Sequence, residues 1–184
     1  MSEATATAAA AAITRPEPGE YAAYYAGYVA HVPDGDVVEL LRAQIRETVE
    51  FLAGIPEERA GHRYAPGKWS IREVVGHMAD VERIMAYRAL RIARGDRTPL
   101  PGFDENAYVP AANFDVRTLD SLARELEAAR RSTVAFLETL DAEVAARRGT
   151  VNNLEVTARA LAYIIAGHER HHVKILRERY LKEL

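Results

Sequence analysis

The chain has 184 residues, enough to bury the core of one domain, so no second domain has to be assumed. It contains no cysteine, which excludes disulfide bonds, a thiolate nucleophile and cysteine-ligated metal sites, and any metal must be bound by His, Asp, Glu and water. The formal net charge is −3, from 24 basic and 27 acidic residues without a long run of either sign, which argues against nucleic acid as a partner.

The first residues are rich in alanine and lack the basic and strongly apolar parts of a signal peptide. No later apolar run approaches the roughly 20 residues that span a bilayer. We therefore expect a soluble, cytoplasmic protein without a membrane partner, in which residues 1–19 form a disordered leader and residues 20–184 form the domain. Tyrosines near the start of that domain could form a short packing segment: Tyr21, Tyr24, Tyr25 and Tyr28.

Two helices are predicted in the first half of the chain. Apolar residues recur at three-to-four spacing over residues 36–54, and the Ile55-Pro56 pair ends this first helix. The second helix begins at a capping box, in which Ser70 and Glu73 satisfy backbone N–H groups of the first turn, and it continues to about residue 95.

Two further helices are predicted over residues 118–146 and 156–182, and no segment shows the sustained alternation of a half-buried strand. The fold class is therefore all-α. A Pro- and Gly-rich connection of roughly 20 residues, 96–116, separates the second and third helices, which is long enough for a crossover that leaves them parallel. These lengths predict a four-helix bundle with up-down-down-up topology, in which the second and fourth helices are antiparallel.

Histidines interrupt the apolar stripe of the fourth helix. His168 and His172 are spaced i, i+4 and lie within roughly 20° of the centre of the stripe, whereas His171 lies about 80° away. The pair can bind one metal ion from adjacent positions, or it can consist of buried histidines that form hydrogen bonds with their neighbours. Burying two imidazoles without a shared partner costs desolvation free energy, which favours the metal.

A third ligand is needed for a firm metal site, and His77 is the best candidate. It lies on the second helix, at the edge of the apolar face, although a histidine in such a place is often a simple boundary residue. His31 and His62 lie in loop-like surroundings, where we expect them to be solvated.

The residues from His168 to His172 also match the motif H-E-x-x-H of zinc proteases, in which the glutamate is the general base. Only twelve residues follow His172, and no sheet edge is predicted that could hold an extended peptide, so the protease interpretation is weak. Glu169 is nevertheless the one candidate catalytic residue, as a base on metal-bound water. The alternative is a solvated carboxylate on the helix surface.

Two segments together resemble the DinB/YfiT-like superfamily: KWSIREVVGHMAD, residues 68–80, and GHERHH, residues 167–172. The similarity extends from about residue 35 to the end of the chain, through the loop at 101–106 and the Arg130-Arg131 pair. The resemblance implies a four-helix bundle and one divalent metal ion (zinc, nickel or iron) held by His77, His168 and His172, with open positions for water or substrate.

Function is implied only by the same resemblance. Some members of this superfamily are thiol S-transferases, so a metal-dependent transfer of a low-molecular-weight thiol to an electrophile is one expectation, with both small molecules as partners. A metal-dependent hydrolase and a non-catalytic bundle with a structural or vestigial metal site are the alternatives. A homodimer is the default expectation for the assembly, because symmetric homodimers are the commonest oligomers, although no surface patch in the sequence indicates one.

Overall fold

The computed structural model describes residues 12–182, in which four long helices form a bundle. The helices are α1 (Ala26–Ala30), α2 (Val37–Ala53), α3 (Ile71–Ala93), α4 (Glu105–Ala112), α5 (Leu119–Leu137), α6 (Ala142–Ala145) and α7 (Ala158–Ile175). Strands β1 (Arg148–Val151) and β2 (Leu154–Thr157) pair antiparallel, and Leu176–Tyr180 continues α7 as a π-helical turn. Short 3-10 turns lie at Pro18–Glu20, Ala23–Tyr25, Glu57–Arg59 and Phe114–Val116. The predicted all-α four-helix bundle is confirmed, with α2, α3, α5 and α7 as its helices.

Each helix of the bundle begins with a side chain that caps its free N–H groups. Asp36 caps α2, Thr118 caps α5 and Thr157 caps α7, each by accepting a hydrogen bond from a backbone N–H of the first turn. At α3, Ser70 and Glu73 form the capping box that the sequence predicts. The starts of these helices are therefore fixed by local sequence.

Contacts between helix ends give the order up-down-down-up. The hydroxyl of Tyr180, after α7, donates to the carbonyl oxygen of Trp69, just before α3, at 2.7 Å, so α3 and α7 are antiparallel. Glu57 accepts hydrogen bonds from Arg72 at the start of α3 and from the backbone N–H of Leu119 at the start of α5. Helices α3 and α5 are therefore parallel, as the long connection between them predicts. No helix within residues 12–182 is long and apolar enough to cross a membrane.

The structure corrects three details of the prediction. The connection between α3 and α5 contains the helix α4, and α5 ends at Leu137 instead of continuing to residue 146. A β-hairpin then occupies residues 148–157. Its turn is formed by Asn152 and Asn153, whose φ values of 49° and 63° are those of a two-residue hairpin turn, a conformation that asparagine tolerates well.

The N-terminal segment, residues 12–35, packs across α7. Ile13 is buried, and its carbonyl oxygen accepts a hydrogen bond from the backbone N–H of Val37. The backbone of Tyr28 approaches Gly167 so closely that an added Cβ would lie 2.0 Å from the Tyr28 oxygen. The predicted disordered leader is therefore wrong from Ile13 onward, because that side chain belongs to the core. Residues 1–11 lie outside the described residues, and for them the leader stays a prediction.

Two apolar clusters fill the bundle, one toward each end. The first includes Leu41, Leu137 and Leu161, and the second includes Leu52, Leu122 and Leu176. At mid-bundle all four helices carry buried polar side chains, which we call the polar layer: Gln44, Glu82, Arg130 and Glu169. The helices thus meet in the middle of the bundle through hydrogen bonds and charge, and the candidate site lies beside this layer.

Candidate metal centre

The three histidines singled out in the sequence lie together, with their ring nitrogens converging. His77 comes from α3, and His168 and His172 come from successive turns of α7. The Nε2 atom of His168 lies 3.1 Å from the Nε2 of His77 and 3.1 Å from the Nε2 of His172. Because α3 and α7 are antiparallel, a residue near the start of α3 is level with the second half of α7. We call these three residues the histidine cluster.

Hydrogen bonds alone do not account for this arrangement. A neutral imidazole carries one N–H and one lone pair, so the Nε2 of His168 can form one good hydrogen bond and not two. Protonation is opposed, because burial lowers the pKa of His77 to about 4. Burial and the neighbouring imidazoles also hold the pKa values of His168 and His172 well below their ordinary range. At neutral pH the cluster therefore offers uncharged rings with lone pairs.

The donor set fits one divalent cation. Two imidazole nitrogens bound to a tetrahedral ion at about 2.0–2.1 Å lie roughly 3.3 Å apart, close to the 3.1 Å of the two short contacts. All three potential ligand atoms lie within 4.8 Å of one another, and within residues 12–182 no Asp or Glu joins the cluster. Three neutral ligands would leave the full charge of a divalent ion in place.

Aromatic side chains surround the histidine cluster. The ring of Trp69 lies 4.7 Å from that of His77, and Tyr28 is edge-on to His168 at 5.5 Å. His171 lies outside the cluster: its ring faces Tyr28 and stacks on His31 at 6.1 Å. The structure therefore agrees with the helical angles, which separated His171 from the other two histidines of α7.

A cavity of about 260 Å³ opens beside the histidine cluster. His77 and His168 form part of its wall. Tyr25 and Tyr28, from the N-terminal segment, and Phe103, from the connection between α3 and α5, form other parts. The cluster therefore borders a space that a small molecule can enter.

The structure places Glu169 away from the role of general base. Its side chain is 2% exposed, and its Oε2 accepts a hydrogen bond from Nη2 of Arg130 at 2.5 Å. Arg130 is also bound through two nitrogens to the carboxylate of Glu82, at 2.8 Å for each contact. Glu169 is thus neither a solvated surface carboxylate nor part of the cavity wall, because it lies about 100° around α7 from His168 and contacts the buried guanidinium there.

Some residues of the cavity wall were not predicted from the sequence. Arg88 lies eleven residues after His77 on α3, which returns it to the same helix face after three turns, and this periodicity could have found it. Glu105 lines the cavity, whereas Asp104 serves as the cap of α4. Phe103 offered no signal, because the path of an irregular loop is set by its tertiary contacts.

Comparison with known proteins gives the family. The model of the DinB superfamily matches residues 40–176, so the chain belongs to this superfamily. It is 29% identical over 140 residues to a protein of Oceanobacillus iheyensis that bears the name "Putative metal-dependent hydrolase", and the match covers 74% of this chain and 77% of that protein.

Two solved structures share the fold. YfiT from Bacillus subtilis, described as "a probable metal-dependent hydrolase with an unusual four-helix bundle topology", superposes with a TM-score of 0.68 at 19% identity and covers 91% of each chain. A mycothiol-dependent maleylpyruvate isomerase superposes with a TM-score of 0.63 at 15% identity, over 79% of this chain and 61% of that chain. The bundle is therefore common to proteins that differ widely in sequence.

Proposed function

We propose that the protein is a metal-dependent hydrolase whose single divalent ion is held by His77, His168 and His172. The observation that carries this proposal is the convergence of three uncharged Nε2 atoms beside a cavity. The names of the Oceanobacillus relative and of YfiT support it. Bound there, a divalent ion of zinc, nickel or iron supplies a Lewis acid that lowers the pKa of water to about 7 and polarises a carbonyl group.

The chain's own residues have three tasks in this proposal. The neutral histidines leave the charge of the ion unreduced, so a separate carboxylate base is not required, in agreement with the engagement of Glu169 by Arg130. Tyr25, Tyr28 and Phe103 line the cavity, so a substrate would pack against aromatic side chains. Burial and the neighbouring Tyr24 raise the pKa of Tyr28 to about 12, so its hydroxyl stays protonated at neutral pH and can donate a hydrogen bond to a substrate oxygen.

Metal content tests the proposed site directly. Protein purified without a nickel column is assayed by mass spectrometry before and after addition of zinc, nickel or iron. We expect about one ion per chain in the wild type and none after His168→Ala or His172→Ala. His171→Ala is the matched control on the same helix and should keep its metal, with at most a weaker affinity, because its ring lies outside the cluster. Equal loss of metal in all three variants contradicts the assignment of His168 and His172 as ligands. A wild type that binds no metal contradicts the proposal of a metal-dependent enzyme.

Trp69 provides a second readout that needs no turnover. It is the single tryptophan of the chain, and its ring lies 4.7 Å from that of His77. Addition of nickel or cobalt should therefore quench its fluorescence at one equivalent, and His77→Ala should remove the response. A change in fluorescence that persists in His77→Ala indicates metal bound elsewhere.

Thiol S-transfer remains a second candidate, favoured by the fold shared with the mycothiol-dependent isomerase. In this reaction a thiol takes the place of water: its S–H bond breaks, its sulfur forms a bond to a carbon of the electrophile, and the leaving group on that carbon departs and takes up the proton. The cobalt-substituted protein separates the two candidates, because a thiolate bound to cobalt gives a sulfur-to-metal charge-transfer band in the near ultraviolet. Such a band, together with a thioether product from an electrophilic probe, supports the transferase. Hydrolysis of ester probes that is independent of added thiol supports the hydrolase.

A further inference from the structure

Arg88 is a buried cation in the wall of the same cavity. Its side chain is 4% exposed, yet it lines the space that His77 and His168 also border. Eleven residues of helix separate Arg88 from His77, so their Cα atoms lie roughly 16 Å apart along the axis of α3. Side chains of a helix lean toward its N-terminus, which directs Arg88 toward the histidine cluster.

The contacts of Arg88 leave most of its hydrogen-bonding capacity unused. Nη2 donates to the carbonyl oxygen of Pro101 at 2.7 Å, and Nη1 lies 3.5 Å from Sδ of Met85, a weak acceptor. The guanidinium also lies over the ring of Phe103, 5.4 Å from its centroid. A guanidinium has five N–H donors, so one strong and one weak hydrogen bond account for only part of them.

No negative charge offsets the burial of this guanidinium. Among residues 12–182, no carboxylate oxygen lies within the 4.0 Å of an ion pair with Arg88. Burial accordingly lowers the pKa of Arg88, since no carboxylate partner raises it again. Arginine is almost never buried without a paired anion, because desolvation of an isolated charge is costly. The missing anion has room in the cavity that Arg88 lines.

We propose that Arg88 binds a carboxylate group of the substrate, so that the protein acts on small carboxylic acids. This inference rests on the proposed function in taking the cavity beside the histidine cluster as the substrate site. A carboxylate matches the planar, two-pronged geometry of a guanidinium. A cavity of about 260 Å³ holds a small molecule, and a single buried arginine suits a monoanion better than a phosphate dianion. The carboxylate would lie at one end of the substrate and the bond to be cleaved at the other, beside the histidines.

Glu105 lines the cavity as well but does not take the place of that carboxylate. Burial is the main cause of the raised pKa values of Tyr25 and Tyr28 and the charge of Glu105 adds to it, but no oxygen of Glu105 lies within the 4.0 Å of an ion pair with Arg88. The charged or polar groups that act on Arg88 are the hydroxyls of Tyr25 and Tyr108. Tyr25 therefore lies near both Arg88 and Glu105, and the cavity wall holds both charges without an ion pair between them.

Binding of matched ligand pairs tests the proposal without turnover. Calorimetry on the zinc-loaded protein compares carboxylates with their neutral amides, from acetate and acetamide to phenylacetate and phenylacetamide. We expect at least one carboxylate to bind about ten-fold or more tightly than its amide, the size expected for a hydrogen bond to a charged group. If no carboxylate of the panel is preferred, the proposal is overturned.

Variants of Arg88 show whether the preference comes from this residue. Arg88→Met keeps most of the length of the side chain without its charge, so the carboxylate and its amide should bind about equally. Arg88→Lys should keep part of the preference for the carboxylate through its charge and lose the rest, because an ammonium lacks the planar fork. Arg91→Met is the matched control three residues further along α3, where Asp96 already pairs the arginine, and should keep the full preference. If Arg88→Met does not fold, Arg88→Lys tests the proposal instead, because a full preference for carboxylates in that variant contradicts a role for the planar guanidinium.

The result also distinguishes Arg88 from the metal. A carboxylate that binds only to zinc would be preferred equally by the wild type and by both variants of Arg88, and this outcome overturns the proposal. Failure of the proposed function is seen separately, as absence of metal in the mass spectrometry of the wild type. A wild type that prefers carboxylates but contains no metal supports the binding site for anions and not the hydrolase.

Discussion

Two regions in the middle of the bundle bury charge in opposite ways. In the polar layer, Arg130 is fully buried and satisfied by the carboxylates of Glu82 and Glu169 and by the carbonyl oxygen of Leu41. In the cavity wall, Arg88 is almost as deeply buried and has no carboxylate partner among the described residues. Within the described residues, the ion pairs of Arg130 join α3, α5 and α7, whereas no carboxylate balances the charge of Arg88, and its surroundings are suited to an anionic ligand.

Their pKa values express the same difference. Burial alone would lower the pKa of Arg130, but the carboxylates of Glu82 and Glu169 raise it above the ordinary value for arginine. For Arg88, burial lowers the pKa, and only tyrosine hydroxyls oppose it. His77 and His168 share the second pattern, since burial lowers the pKa of each. Among the described residues, the cavity wall therefore combines uncharged imidazoles with a cation that has no carboxylate partner.

Removing Arg130 should have the largest effect on stability. Arg130→Met leaves the buried carboxylates of Glu82 and Glu169 without their cation, and loss of one partner of a buried ion pair costs about 3–5 kcal/mol. Urea denaturation measures the free energy of unfolding. The matched control is Arg131→Met at the neighbouring, exposed position, where we expect a change within about 0.5 kcal/mol. Similar small effects at both positions would remove the distinction between the two regions.

Acid should destabilise the metal-free protein through the histidine cluster. His77 has a pKa of about 4 when folded and near 6.5 when unfolded, so between these values the unfolded chain binds a proton that the folded chain does not. Stability therefore falls as the pH drops from 6.5 toward 4, by about 2 kcal/mol between pH 7 and pH 5 from His77 alone.

Urea denaturation at these two pH values measures the acid effect. His77→Leu should flatten the dependence, while His62→Ala, at an exposed position, should leave it unchanged. Zinc should stabilise the protein at both values, because it binds the folded state. A pH dependence that is the same in His77→Leu and the wild type would show that this histidine is not the source.

Glu169→Gln should cost less than the loss of Arg130 and should leave the metal bound. The variant weakens one charge-assisted hydrogen bond to Arg130, but Glu82 still accepts from Nε and Nη2 of that arginine. We therefore expect the free energy of unfolding to fall by about 1–2 kcal/mol. Metal content should stay at one ion per chain, and hydrolytic activity should change by only a few-fold. Complete loss of activity in the folded, metal-loaded variant would restore Glu169 as a base.

Arg88→Met should have the smallest effect on stability. It removes a hydrogen bond to Pro101 but also an unpaired buried charge, so the two effects oppose each other and we expect a change within about 1 kcal/mol. Urea denaturation without ligand measures it beside Arg130→Met. A loss of stability as large as that of Arg130→Met would mean that Arg88 serves mainly to hold the connection between α3 and α5 in place.

Much of the fold follows from local sequence. The capping box at Ser70 and Glu73 fixes the start of α3, and apolar periodicity fixes the long helices that carry the histidines. The angles of His168 and His172 on α7 placed both rings on the buried stripe before any tertiary contact was known. Periodicity reports which helix face is buried, which is why it located the histidine cluster.

Other parts depend on tertiary contacts that periodicity does not report. Arg130 lies beside Arg131 in an ordinary-looking charged run, and only the packing of α3 and α7 shows that the first is buried and the second exposed. Glu169 was misplaced for the same reason, since its partner comes from another helix. The hairpin had a local signal, Asn152 followed by Asn153, but its strands are too short for alternation to stand out.

The N-terminal segment lies outside residues 40–176, which the family model matches, and its tyrosines form part of the cavity wall. It contacts α7 through the fit of the Tyr28 backbone against Gly167 and through the edge of the Tyr28 ring against His168. The histidine cluster and this part of the wall beside it therefore come from separate stretches of the chain. Exchange of residues 12–35 between relatives would alter the shape of the cavity and leave all three histidines in place.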